Sequence, residues 1–149
     1  MRVRLDPGRL LHVEDDAAQH RFIAHQLNSV AEIDFDIRCA ESESDAVVAF
    51  AAFQPGFVIL DYHLADGNGL SCLRTFRARD GLVPIIAVSG VATAEIAAQL
   101  MKSGADDYIG KQELTCDVLA RSVRRALARS DALRTRIAAR RSQTRAAMG

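Results

Sequence analysis

The stretch Pro55-Gly56-Phe57-Val58-Ile59-Leu60-Asp61 decides the fold. A breaker pair admits four consecutive apolar residues, and the run stops on a carboxylate. That length and content suit a strand covered on both faces, and such strands belong to parallel sheets flanked by helices. Asp61 then stands at the carboxyl end of a buried strand, outside which the ligand crevice of an open α/β sheet lies.

Toward the N-terminus, Arg9-Leu10-Leu11-His12-Val13 reads as a first strand running into Glu14-Asp15-Asp16. Phe22, Ile23, Leu27 and Val30 recur at helical spacing after Asp16, which is placed to cap that helix. The stretch from Phe35 to Cys39 alternates like a strand, and Ser42 opens a helix from Glu43 to Phe53. On the other side of Asp61, the loop Ala65-Asp66-Gly67-Asn68-Gly69 holds glycines expected to supply positive φ, and Leu70, Leu73 and Phe76 mark a helix to about Arg79. Pro84-Ile85-Ile86-Ala87-Val88 is a fourth buried strand ending on Ser89-Gly90. A helix from Thr93 to Ser103 is stopped by Gly104, and a fifth strand from Asp106 ends on Lys111. The last helix starts near Thr115 and runs past Arg140. Strands alternating with helices in this way predict a doubly wound, flavodoxin-like α/β domain with a five-stranded parallel sheet in the order 2-1-3-4-5.

At 149 residues the chain can bury a core without disulfides or a structural metal. Cys39, Cys72 and Cys116 are odd in number and widely spaced, which favours a reducing compartment and the reading of all three as small packing residues. The apolar runs stop short of the roughly 18 residues of a membrane span, and residues 1–8 lack a signal peptide's apolar centre, so a cytoplasmic protein with no membrane partner is expected. Charge is divided unevenly. Residues 1–111 carry 10 basic and 16 acidic side chains, whereas 112–149 carry 9 and 3. His12, His20, His25 and His63 show no tight ligand spacing with a cysteine or a second acid, which argues against zinc. His20 and His25 are expected to be solvated on the first helix, and His63 to overhang Asp61.

The predicted topology gathers the ends of strands 1, 3, 4 and 5, and with them Asp15, Asp16, Asp61, Ser89 and Lys111. Clustered carboxylates repel one another, and a hard divalent ion with oxygen ligands, Mg²⁺, relieves that. Asp61 then has the chemistry of a nucleophile toward phosphorus, forming an acyl phosphate. The Lys111 ammonium and the Ser89 hydroxyl stabilise the oxygens of the transferring group. A dinucleotide-binding enzyme would need a glycine-rich loop where Glu14-Asp15-Asp16 stands, and a dehalogenase-type phosphatase a second aspartate where His63 stands.

These residues, together with Tyr108 three positions before Lys111 and the run Gly104-Ala105-Asp106-Asp107-Tyr108, resemble the receiver domains of two-component response regulators over about residues 9–128. The resemblance implies that Asp61 accepts a phosphoryl group from a histidine kinase or histidine phosphotransfer protein. It implies that Asp15, Asp16, Asp61 and the His63 backbone carbonyl hold Mg²⁺, and that Ser89 and Tyr108 form a switch pair. Catalysis would be limited to the protein's own phosphorylation and dephosphorylation. The competing reading is a receiver-shaped interaction module that works without phosphorylation. Two positions depart from the family: Gln112 follows Lys111 where proline is usual, so a trans bond and a rearranged loop are expected, and Ala65 stands where proline is common.

Residues 1–8 read as a lead-in, and 129–149 as a basic, helical, partly disordered extension too short for an output domain. In the last helix Leu119, Val123, Ala126, Ser130, Leu133 and Ile137 follow a heptad-like spacing, which favours a weak homodimer over a frayed, solvated tail, and both over nucleic-acid binding by the arginines.

Overall fold

The computed structural model describes residues 8–30, 33–91 and 93–148, so the lead-in lies outside the described residues apart from Gly8. The sheet strands are β1 (Arg9–Val13), β2 (Asp36–Ala40), β3 (Phe57–Asp61), β4 (Ile85–Ser89) and β5 (Asp107–Gly110). They alternate with α1 (Ala17–Leu27), α2 (Glu43–Phe53), α3 (Gly69–Arg79), α4 (Ala94–Lys102) and α5 (Cys116–Met148). The sheet is parallel throughout, in the order β2-β1-β3-β4-β5. Every residue of β3 and β4 is buried, as their unbroken apolar runs require.

Alternation along the strands divides the core. Leu11, Val13, Val58, Leu60, Ile85 and Ala87 meet Phe50, Leu73, Phe76 and Leu100 from α2, α3 and α4. Leu10, Ile59, Ile86 and Val88 meet Ile23 and Leu27 of α1 and Leu119 and Val123 of α5. Side-chain oxygens at Asp16, Ser42, Asn68 and Thr93 accept first-turn N–H groups and so fix where α1 to α4 begin.

Three details differ from the sequence reading. His63–Leu64 and Gly67–Asn68 pair as a short antiparallel hairpin after β3. Its glycines do not adopt positive φ; among the described residues the glycine that does is Gly104, at +114°. Gly69 is glycine for lack of room: a Cβ there would run into the Asp61 carbonyl oxygen and lie 2.8 Å from the Tyr62 Cα. Thirdly, Leu119, Val123, Ala126 and Ser130 face their own domain, each less than 5% exposed. Four of the six positions of the expected dimer seam are thus occupied within the chain, and Leu133 and Ile137 remain.

Candidate functional site

Strand register assembles the site. Val13 pairs with Leu60, which sets Glu14 beside Asp61; Asp61 pairs with Val88, which brings Ser89 next; Ser89 pairs with Gly110, which brings Lys111. One rim of the sheet therefore carries two acids, a hydroxyl and an ammonium. The Lys111 Nζ lies 3.0 Å from Asp61 Oδ2 and 3.0 Å from Glu14 Oε1. Asp61 is 2% exposed, and its Oδ1 accepts the His63 N–H at 3.3 Å.

Glu14, which the sequence reading left out of the site, is 1% exposed. Burial, with the Asp61 carboxylate beside it, pushes its carboxyl up to about 7 against the pull of Lys111. Burial works to lower the Lys111 ammonium, but its two carboxylate partners prevail and hold it above its ordinary value. Carboxylate oxygens of Glu14, Asp15 and Asp61 all lie within 4.8 Å of one another, with Asp15 on the exposed side. Asp16, expected as a metal ligand, is not in this group. Its Oδ1 accepts the Ala18 and Gln19 N–H groups at 2.9 and 3.4 Å, because the first turn of α1 needs an acceptor there.

Ser89 is fully buried but does not bond to Asp61. Its Oγ donates to the Val91 carbonyl at 3.0 Å and accepts the Val91 N–H at 3.1 Å. Tyr108 is half-buried against the α2–α4 side of the core, and its hydroxyl is buried without a hydrogen-bond partner among the described residues. No described peptide bond is cis. Lys111–Glu113 form a single 3₁₀ turn, and the Gln112 Nε2 donates to the Gly90 carbonyl at 2.9 Å, tying this turn to the one after β4. The His63 side chain is exposed and stands edge-on to Tyr62, with ring centroids 4.9 Å apart. No described helix is long and apolar enough to cross a membrane.

The chain is 29% identical over 116 residues to the acid tolerance regulatory protein ActR of Rhizobium meliloti (strain 1021), a match covering 78% of this chain and 58% of that protein. It thus spans little more than half of that regulator. Among solved structures it resembles NtrX from Brucella abortus, with a TM-score of 0.76 and 26% identity over 85% of this chain and 28% of that one. It also resembles a response regulator protein from Burkholderia pseudomallei holding a phosphorylated aspartic acid, a calcium ion and citrate, with a TM-score of 0.66 and 25% identity over 75% of this chain and 64% of that one. The family model of the response regulator receiver domain matches residues 10–124. With its sheet order and the acids at its rim, the chain belongs to the response regulator receiver domain family.

Proposed function

We propose that Asp61 accepts a phosphoryl group from a partner histidine kinase or histidine phosphotransfer protein, in a Mg²⁺-dependent transfer read out through Ser89 and Tyr108. The observation that carries this reading is the Lys111 ammonium, 3.0 Å from both Glu14 and Asp61 at the carboxyl end of the sheet. Three clustered acids facing that ammonium keep an excess of negative charge, which fits a hard divalent ion. Glu14, Asp15 and Asp61 would hold it together with the His63 carbonyl, in place of the expected set with Asp16. Bound there, Mg²⁺ supplies neutralisation of the acids and of a transferring phosphoryl group. The phosphorylated aspartic acid and calcium ion of the Burkholderia pseudomallei regulator support that fit.

An Asp61 carboxylate oxygen forms the new bond to phosphorus as the donor's nitrogen–phosphorus bond breaks and the electron pair leaves with the imidazole. Lys111 exchanges an Asp61 oxygen for a phosphoryl oxygen. Ser89 reaches another by releasing the Val91 carbonyl, and burial strengthens both contacts. That release loosens the turn after β4, which Gln112 couples to the turn before α5. Tyr108, whose hydroxyl has no partner to lose among the described residues, repacks in response. The kinase partner and three unpaired cysteines suit the cytoplasm.

Acetyl phosphate tests the chemistry without a kinase. With Mg²⁺, intact-mass measurement should show one phosphoryl group on the full chain, and none on Asp61→Asn or in the presence of EDTA. Undiminished labelling of Asp61→Asn, or of the unaltered chain in EDTA, overturns the assignment.

A further inference from the structure

Behind the acidic rim, on the side covered by α1, three side chains meet that phosphoryl chemistry does not use. His12 of β1 and Cys39 of β2 are register partners in adjacent strands, and His20 of α1 closes over them. The Nδ1 atoms of His12 and His20 are 2.7 Å apart. One ligand atom from each of the three residues lies within 4.8 Å of the others. His12 is fully buried, flanked in the sheet by Cys39 and Ile59, and its Nε2 has no hydrogen-bond partner among the described residues. Neither tautomer mends this: if His12 Nδ1 accepts from His20, Nε2 holds a proton with no acceptor, and if it donates, Nε2 is a bare lone pair. A buried imidazole with half its polar capacity unpaired is costly in a core strand whichever tautomer it holds.

We infer that His12, His20 and Cys39 form a second metal site, suited to a borderline-soft divalent ion such as Zn²⁺. Two imidazoles and a thiolate are the donors such ions prefer, whereas Mg²⁺ prefers the oxygens of the acidic rim, so the two sites sort ions by softness. Three protein ligands leave a fourth tetrahedral position for water on the half-exposed His20 side. Metal–nitrogen bonds of about 2.0–2.1 Å at tetrahedral angles hold two nitrogens about 3.3 Å apart, so the imidazoles must separate by roughly half an ångström. Rotation of His20 on its helix supplies that movement.

The protons balance. Before binding, the Cys39 thiol donates its proton toward the Glu14 carbonyl, with Sγ 3.6 Å from that oxygen. Binding releases that one proton to solvent as the metal–sulfur bond forms. The proton shared between the two Nδ1 atoms moves to Nε2 of its own ring, and both imidazoles stay neutral.

Co²⁺ titrated into the full chain under excess Mg²⁺ is the test. One equivalent should produce thiolate-to-cobalt charge-transfer absorption with the visible bands of a tetrahedral ion, and Zn²⁺ should abolish both. The signal should survive in Cys116→Ser and Asp61→Asn, vanish in Cys39→Ser, and require more than about tenfold more Co²⁺ in His20→Ala, since even an outer-shell partner costs that much. Circular dichroism checks that Cys39→Ser folds; if it does not, His20→Ala decides alone. No charge-transfer band, a band unchanged in a folded Cys39→Ser, unchanged affinity in His20→Ala, or complete displacement by Mg²⁺ would each overturn the site.

Discussion

Among the described residues the buried Tyr108 hydroxyl has no hydrogen-bond partner, whereas a buried phenol ordinarily finds one. A donor stripped of water and left unpaired destabilises the fold that holds it, so deleting the oxygen should help. Tyr108→Phe is expected to raise the unfolding free energy by about 1 kcal/mol in urea, the low end of the penalty for an unsatisfied buried group. A loss of stability of similar size would mean that the hydroxyl is satisfied and that the ring is not free to repack. At this same scale the acidic run Glu14-Asp15-Asp16 shows what a sequence leaves open. Three acids follow β1, and a helix must start among them, so one becomes the cap and the other two face the crevice. Which one caps depends on where the first turn begins. The β1 ladder extends one residue further, through the Glu14 N–H to the Ala40 carbonyl, which leaves the capping position to Asp16. Asp61 and Ser89 were legible because each directly ends an unmistakable apolar run, and Lys111 because it closes the short strand from Asp106 with Tyr108 three positions before it. The histidine–cysteine cluster was not, because its members come from three elements and share no spacing along the chain.

At the scale of elements, β3 and β4 were readable from composition alone, since strands covered on both faces are apolar without a break up to their last residues, Asp61 and Ser89. The hairpin beyond β3 has two residues on each side, too few to show any period. Also hidden was the side chain that locks α3 to the start of β5. Arg77 donates to the Gly104 carbonyl at 2.8 Å and the Val83 carbonyl at 2.6 Å, and pairs with Asp106 at 3.0 Å. Asp106 in turn accepts the Ile85 N–H at 2.8 Å, so this pair fixes where β4 and β5 begin. Breaking such a pair leaves a charge in poor solvent, and Arg77→Met should cost about 3 kcal/mol in urea unfolding. Adding Asp106→Asn keeps an oxygen for Ile85 but removes the stranded charge, and should recover part of the loss. If the double variant is no more stable than Arg77→Met, the carbonyl contacts rather than the ion pair account for the effect.

For the molecule as a whole, α5 sets both the stability of the far edge and the shape of the surface. It has 33 residues, about 50 Å at about 1.5 Å per residue, longer than the sheet it covers. Its first half is anchored: Ser122 and Arg125 bond to Asp107 at 2.6 and 3.1 Å, and the Ser130 hydroxyl donates to the Leu82 carbonyl at 2.7 Å. From Thr135 to Met148 every residue is exposed. A projecting helix of this kind gains little from its own hydrogen bonds. The apolar seam left to it, Leu133 and Ile137, falls short of the three or four heptads that pair helices in solution. Charge opposes pairing as well, because after Ser130 the helix carries Arg134, Arg136, Arg140, Arg141 and Arg145 against the single acid Asp131. Two such helices side by side would repel, most strongly at low salt. Removing everything after Thr135 should therefore leave the melting temperature within about 2 °C of the full chain, as the loss of exposed residues outside the core predicts. Both versions should sediment as monomers at low and high salt. A full chain that sediments as a dimer, and returns to one chain on truncation, would show that Leu133 and Ile137 outweigh the arginines and that the projecting helix is a self-association element.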